Sequence, residues 1–259
     1  MVRVLLHIFL QIVLESLPVS SSGNVKLLPE VFSFFYTIEP LASLPPGFDF
    51  FLHGPTILIV GLFFFKTWWR YLKGFFTFEH ESVRIVAFCI VVDIITAAWY
   101  VFFLYSEIQF LPLWVGFLIT SLALLSLRFC SVKNNKVITM RQAFILGVVQ
   151  GVTLLPGLSR FALTFCAGRW LGIARMRAFE LSFLIAWPLM LAGFVKGSWQ
   201  LYQFDGAYQV LNWPVLCSII IATGLAYCAL RWVATVIARG SMWKFFCYPV
   251  LLSIIALMV

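Results

Sequence analysis

Between Ile85 and Tyr105 the chain runs for more than twenty residues with Asp93 as its one charged side chain, and this stretch restricts the possible folds more than any other. A helix needs about 20 predominantly apolar residues to cross the hydrocarbon core of a bilayer. Six segments approach or meet that need: Phe50–Trp69, Val83–Leu104, Phe110–Leu127, Phe179–Ser198, Leu211–Leu230 and Met242–Val259. Of the 259 residues, 63% are hydrophobic and 11% charged, whereas soluble domains carry about 25% charged residues. The excess apolar surface must therefore face lipid. An all-α integral membrane protein with about six transmembrane helices is expected.

Two further apolar stretches differ in kind. Val4–Leu17 and Gln142–Leu155 are short, and each ends at a proline, Pro18 and Pro156, before small polar residues and a return to apolar sequence. Irregular backbone at membrane depth is tolerated only where protein buries it or a wet cavity receives it. The pair thus reads as two re-entrant helical hairpins. Each precedes three spans, which divides the chain into residues 1–127, a basic cytoplasmic linker 128–141, and residues 142–259. Three spans per half place the halves in opposite orientations, as an inverted-topology repeat. Leu17-Pro18-Val19-Ser20-Ser21 lines up with Leu155-Pro156-Gly157-Leu158-Ser159. Interrupted segments at matching places in inverted repeats point to a site at the repeat interface.

The net charge of +8 raises the question of nucleic acid, but its distribution answers against it. Lys66, Arg70, Lys73 and Arg84 flank one loop, beside Glu79 and Glu81. Arg128, Lys133, Lys136 and Arg141 fill the next, Arg175 and Arg177 follow the second hairpin, and Arg231, Arg239 and Lys244 precede the last span. This is the positive-inside pattern of cytoplasmic loops. The opposite loops hold Glu107 and Asp205, so both termini count to the outside. Six cysteines, at positions 89, 130, 166, 217, 228 and 247, lie in or beside apolar runs without ligand spacing and read as small apolar fillers. Arg3, the apolar Val4–Leu14 and Ser20–Gly23 also resemble a cleavable signal peptide; Gln11 and Glu15 inside that apolar segment argue against it.

Four groups carry candidate chemistry. Gln11 and Glu15 are spaced i,i+4 and share a helix face; they are either a water-facing acid with a packing amide or a face that holds a divalent cation. Ser20, Ser21, Ser22 and Gly23 form either a plain loop or an anion cradle at a half-helix end. Arg160, at the tip of the second hairpin, is a topology determinant or a fork for phosphate oxygens. Taken together, they suit a phosphorylated lipid, with Glu15 and Gln11 holding a cation, Arg160 clamping phosphate and Ser21 as nucleophile. Among the remaining polar groups, Asp93 either pairs with a base or lines the repeat interface. Glu180 has an ion pair with Arg175 or Arg177 as its default. His53 and His80 read as loop or interfacial residues, and His7 falls about 12 Å along the helix from Glu15. Trp68, Trp69 and Trp243 fit interfacial belts.

At this point the sequence resembles a known family. Gln11-x-x-x-Glu15-x-Leu17-Pro18-Val19-Ser20-Ser21-Ser22-Gly23 is similar to the first signature of the undecaprenyl-pyrophosphate phosphatases of the bacitracin-resistance type. Pro156-Gly157-Leu158-Ser159-Arg160 resembles the second, Ala178 to Pro188 matches the stretch that follows, and Phe48-Asp49 with Leu52-His53-Gly54 is a fainter echo. The resemblance implies a membrane phosphatase that converts undecaprenyl pyrophosphate to undecaprenyl phosphate and recycles the lipid carrier of wall synthesis. Its place would be the bacterial inner membrane, with the site facing outward. It implies catalytic roles for Gln11, Glu15, Ser21 and Arg160, and substrate contacts from Ser20, Ser22, Gly23, Asn24, Gly157, Ser159 and Arg160. Glu15 and Gln11 would take Mg²⁺ or Ca²⁺. Membrane lipids are expected partners, and a homo-oligomer is compatible. Two positions depart from the pattern: Asn24 stands where the family carries histidine, and Phe161-Ala162 replaces Ser-Gly. A histidine moves protons and an asparagine only hydrogen-bonds, so a polyprenyl-phosphate binding protein or flippase without hydrolysis is the alternative.

Overall fold

A computed structural model describes residues 2–35, 44–106, 111–130, 138–204 and 212–258. Phe110, Leu211 and Val259 at predicted span ends, and the loop charges Glu107, Lys133, Lys136 and Asp205, lie outside them. Every regular element among the described residues is helical. The chain is a multi-pass membrane protein by the length and composition of its helices.

The first apolar stretch folds as α1 (Val2–Glu15), turns, and returns as α2 (Ser21–Phe35). A short α3 (Phe48–Phe51) leads into α4 (His53–Phe76), followed by α5 (His80–Tyr105) and α6 (Leu113–Ser126), which tightens into a 3₁₀ turn over Leu127–Phe129. The second half repeats the order: α7 (Met140–Val152), a turn, α8 (Arg160–Trp170), α9 (Arg175–Tyr202), α10 (Trp213–Ala238), and a 3₁₀ segment Met242–Phe246 entering α11 (Cys247–Met258). Four stretches have the length and hydropathy to span: Phe48–Phe76, His80–Tyr105, Arg175–Tyr202 and Trp213–Ala238. The third and sixth predicted spans are shorter, at Leu113–Phe129 and Met242–Met258. At 1.5 Å per residue such elements reach about 25 Å, and they pack on each other rather than standing alone.

Burial follows helical stripes with the lipid side left apolar. On α10, Ala222, Ala226, Leu230, Val233 and Ile237 are fully buried, while Ile220, Ile221, Leu225 and Trp232 face outward. That stripe receives α1, whose Ile8 and Ile12 are fully buried. The same partnership recurs between halves, since α7 packs on α5. There Gly147 and Gly151 leave no room for a methyl against Ile95 and Trp99, the small-residue contact by which membrane helices approach closely. The second-half contact exchanges the roles of the first: each hairpin's leading helix lies on the penultimate long helix of the opposite half.

Helix starts are written locally. Thr139 and Gln142 form a reciprocal capping box at α7, at 3.3 and 2.8 Å, which satisfies two of the orphan amides. Pro188 interrupts the ladder of α9 at the Leu184 carbonyl, and the next carbonyl, that of Ile185, receives the Gln150 amide at 3.0 Å. Trp68, expected in an interfacial belt, instead stacks on Phe64 at 5.5 Å and meets Trp187 edge-on at 6.0 Å, because it lies on the same face of α4 as the core. Trp69 is exposed with Lys73 over its ring, and Trp243 carries Arg128.

Candidate active site

The two hairpin turns end in the same way. Ser20 Oγ accepts the Gly23 amide at 3.1 Å and Ser159 Oγ accepts the Ala162 amide at 3.3 Å, each a serine N-cap three residues ahead of its donor. The first helical residues behind these caps are Ser21 and Arg160. The structural correspondence thus pairs Ser20 with Ser159, and Ser21 with Arg160. It is one residue away from the proline-anchored alignment, which paired Ser21 with Ser159.

Both turns are pressed together. A Cβ on Gly23 would meet Phe117 at 2.7 Å and the Gly157 backbone at 3.0 Å, and one on Gly116 would meet the Pro156 carbonyl at 2.5 Å. Gly157 holds φ +80°, a left-handed conformation that favours glycine. Thr120 on α6 completes the joint by accepting the Ser159 amide at 3.1 Å.

Around the joined tips lies a cavity of about 560 Å³. Its polar wall comprises Gln11, Glu15, Ser20, Ser21, Ser22, Ser159 and Arg160, together with Lys26, Asp49, His53, Thr153 and Ser182. Its apolar wall includes Phe50, Tyr100, Phe103, Leu104, Phe183 and Met190. Of the residues named from sequence, Gly23, Asn24 and Gly157 are absent from this lining; they serve the packing behind it. Two half-helix N-termini open on one space, and the amides and dipole at such ends favour an anion.

Glu15 is held from both sides. His53 Nδ1 lies 2.7 Å from Oε1, and Thr56 Oγ1 donates to Oε2 at 2.7 Å. The Glu15 and His53 side chains are 11% and 13% exposed. His53 is the residue that sequence reasoning passed over as interfacial. It sits at the start of α4, where α3 turns the chain inward, and the echo Phe48-Asp49 with Leu52-His53-Gly54 was the available signal. His7 is engaged elsewhere, 2.6 Å from Asp49, and His80 is exposed at the start of α5.

Arg160 forms no ion pair among the described residues. Its Nε is buried without a hydrogen-bond partner. Glu180 does not serve it: that acid pairs with Arg177 at 3.2 Å, beside Tyr71 and Glu81. Asp93 likewise has neither an ion pair nor a hydrogen bond among the described residues. Phe161, at the family's serine position, is packed with Phe183 at 4.7 Å and Phe179 at 5.7 Å, so its side chain supports the wall.

Asn24 is 3% exposed. Its Nδ2 donates to the Ser20 carbonyl at 2.7 Å and its Oδ1 accepts from the Tyr248 hydroxyl at 2.7 Å. As for a cation, no three His, Cys, Asp or Glu side chains converge among the described residues. The oxygen donors Glu15 and Gln11 both lie on the cavity wall; a hard cation there would share Glu15 with His53 and Thr56 and need phosphate oxygens to complete its shell.

The family model of the bacitracin resistance protein BacA matches residues 5–255. An undecaprenyl-diphosphatase of Thermosipho africanus is 31% identical over 254 residues, covering 95% of this chain and 94% of its own. Enzymes of the same name from Borrelia hermsii and Leptospira biflexa are 27% and 26% identical, over 86% and 94% of this chain and 86% and 92% of theirs. With both signatures meeting at one cavity and the match running almost end to end, the chain belongs to the BacA bacitracin resistance family.

Proposed function

We propose that this protein is a membrane phosphatase that hydrolyses undecaprenyl pyrophosphate to undecaprenyl phosphate and inorganic phosphate, returning the carrier to cell-wall synthesis. The observation that carries the reading is Arg160: its Nε is buried without a hydrogen-bond partner and it forms no ion pair among the described residues, at the N-terminus of one half-helix, facing the cavity that Ser21 faces from the other. A desolvated charge needs a partner, and a phosphate supplies one in bidentate geometry. The apolar wall beside it suits an isoprenoid tail.

In the proposed reaction the Ser21 hydroxyl attacks the terminal phosphorus. The bond from that phosphorus to the bridging oxygen breaks, and undecaprenyl phosphate leaves. The Ser21 proton passes to His53, whose Nδ1 is held by Glu15, so that Nε2 is the basic nitrogen. His53 passes that proton to the departing phosphate oxygen. Water then attacks the phosphoserine and gives a proton to the neutral His53. The bond from phosphorus to the Ser21 oxygen breaks, His53 returns the proton to Ser21, and inorganic phosphate leaves. Arg160 and the amides of the α2 and α8 N-termini neutralise charge at the transferring group. A bound Mg²⁺ or Ca²⁺ on Glu15 and Gln11 would supply further neutralisation of the pyrophosphate.

The orientation follows from charge. On α4 the cavity residue His53 begins the helix and Lys66, Arg70 and Lys73 lie toward its end; on α5 Arg84 lies near the start and Tyr100 to Leu104 near the end. The α9 helix starts at Arg175, whereas α10 ends beside Arg239. Corresponding helices of the two halves thus carry their basic ends oppositely, which supports the inverted repeat of residues 1–127 and 142–259. With basic ends inside, the cavity opens at the outer face of the cell membrane.

The test is phosphate release from undecaprenyl pyrophosphate by purified protein in detergent, with Mg²⁺, Ca²⁺ or chelator, beside Ser21→Ala and Arg160→Ala. Release by the parent that falls at least 100-fold in both variants supports the reading. A folded parent that binds the lipid and releases no phosphate overturns it.

A further inference from the structure

Asn24 and Tyr248 lie 224 residues apart and meet behind the cavity. The direction of each bond between them is fixed. The Ser20 carbonyl only accepts, so the Asn24 atom facing it at 2.7 Å is the amide nitrogen. The Asn24 oxygen therefore faces Tyr248, and the phenol donates. Ser20 O also accepts the Asn24 backbone amide at 3.1 Å. That carbonyl belongs to the peptide unit joining Ser20 to Ser21. Both ends of the Asn24 side chain are thereby committed, at 3% exposure, to holding the peptide plane from which Ser21 projects.

We propose that Tyr248 is a positioning residue for phosphoryl transfer, acting through Asn24 on the Ser20–Ser21 peptide, and that the side chain at position 24 holds this peptide and moves no proton. The proposal rests on the phosphatase reading above. Its physical basis is geometric. Ser20 is at once the cap of α2, through its hydroxyl, and the anchor of the Asn24 amide, through its carbonyl. A rotation of this peptide swings the Ser21 side chain and its N–H together, and near-attack geometry is lost with displacements of about 1 Å. Gly23 cannot buffer such a movement, because Phe117 and the Gly157 backbone already touch the place of its missing Cβ. Tyr248 reaches the turn from α11, which itself is pinned to α6 by the Ser253 hydroxyl on the Trp114 carbonyl at 2.8 Å. The last helix of the chain thus sets the aim of the nucleophile near the first.

The experiment is a double-mutant cycle on full-length protein in detergent, reading kcat and KM for phosphate release from undecaprenyl pyrophosphate. The variants are Tyr248→Phe, Asn24→Ala, the two combined, and Asn24→His. Tyr248→Phe removes one hydroxyl and keeps the ring. Its kcat should fall about tenfold with KM within twofold, as expected for loss of one part-buried hydrogen bond that acts on the transition state. In the Asn24→Ala background the same change should have less than a twofold effect, because the path is already cut. Asn24→His, whose ring can accept from Tyr248 and donate to Ser20, should retain kcat within about threefold and lose this tolerance when combined with Tyr248→Phe. Full kcat in Tyr248→Phe overturns the proposal, and so does an equal loss in both backgrounds, which would mark a general packing effect. A large gain in kcat on Asn24→His overturns it too, since the position would then be starved of a proton carrier. A parent without phosphate release removes the phosphatase reading itself, and this inference with it.

Discussion

Replacing Gly157 by alanine isolates the contact that seats the second hairpin turn on α6. The residue sits at φ +80°, where an L side chain costs about 1–2 kcal/mol. Its Cβ would stand 2.7 Å from the Leu113 carbonyl oxygen and 3.2 Å from the Gly116 Cα, both backbone atoms that cannot rotate aside. Overpacking of that kind costs about 1–3 kcal/mol. Reduced freedom of the unfolded chain offsets about 0.4–1 kcal/mol, leaving a net loss of about 3 kcal/mol, or roughly 100-fold in the folding equilibrium. Two companions separate the causes. Gly116→Ala has an ordinary helical backbone and meets the Pro156 carbonyl at 2.5 Å, so it carries the clash without the backbone strain. Gly224→Ala meets nothing within 4 Å and should be neutral or slightly stabilising. The assay is unfolding by SDS titration in mixed micelles, followed by tryptophan fluorescence, with phosphate release measured on the folded fraction. Gly157→Ala should unfold earliest, Gly116→Ala next and Gly224→Ala with the parent. Activity of folded Gly157→Ala should also fall, because Arg160 is three residues along the same turn. If Gly157→Ala and Gly224→Ala unfold at the same midpoint, the second turn does not sit on α6 as described and the placement of Arg160 that depends on it fails.

Two further substitutions probe the polar wall. Arg160→Lys keeps the charge but loses the planar fork, and kcat should fall about 100-fold with the SDS midpoint unchanged, as measured by phosphate release and unfolding side by side. Thr56→Val removes the hydroxyl from Glu15 Oε2 while keeping the shape; a hydrogen bond to a charged group contributes about 1.5–3 kcal/mol, so kcat/KM should drop at least tenfold, and wild-type values would show that Glu15 needs no second support.

Much of this architecture was legible because lipid imposes it. The long apolar runs at 53–76, 80–105, 175–202 and 213–238 and the proline-broken segments at 2–35 and 140–170 admit few alternatives to helices and helical hairpins. The elements at 113–129 and 242–258, expected as spans, are shorter than the four long helices, and part of each run is a 3₁₀ segment. Glu15 and Arg160 were visible because a charge at membrane depth is costly. His53 was not visible in the same way. An imidazole near the end of an apolar run is ordinary, and its place beside Glu15 depends on how α3 and α4 pack on α1, across a separation of 38 residues. Asn24 was read through the residue it replaces, as a lost proton carrier facing phosphate. Only the distant Tyr248 reveals that its amide turns away from the cavity.

The pairing of Ser21 with Arg160 carries the last step. Proline anchors the two turns by eye, but the second turn contains one residue more between proline and cap. It is the capping serine, fixed by a hydrogen bond three residues on, that defines equivalent places. Counted from the caps, the proposed nucleophile Ser21 of one hairpin and the cation Arg160 of the other occupy the same first helical position in two half-helices. That position projects beside free amides at a helix N-terminus, which is where a phosphoryl group is held with least help from side chains. A fold that brings two such ends together can therefore divide the labour: each end contributes amides, and the single side chain at its head decides whether that end attacks or clamps. Arg160 forms no ion pair among the described residues, and its fork is left for what enters between the two ends.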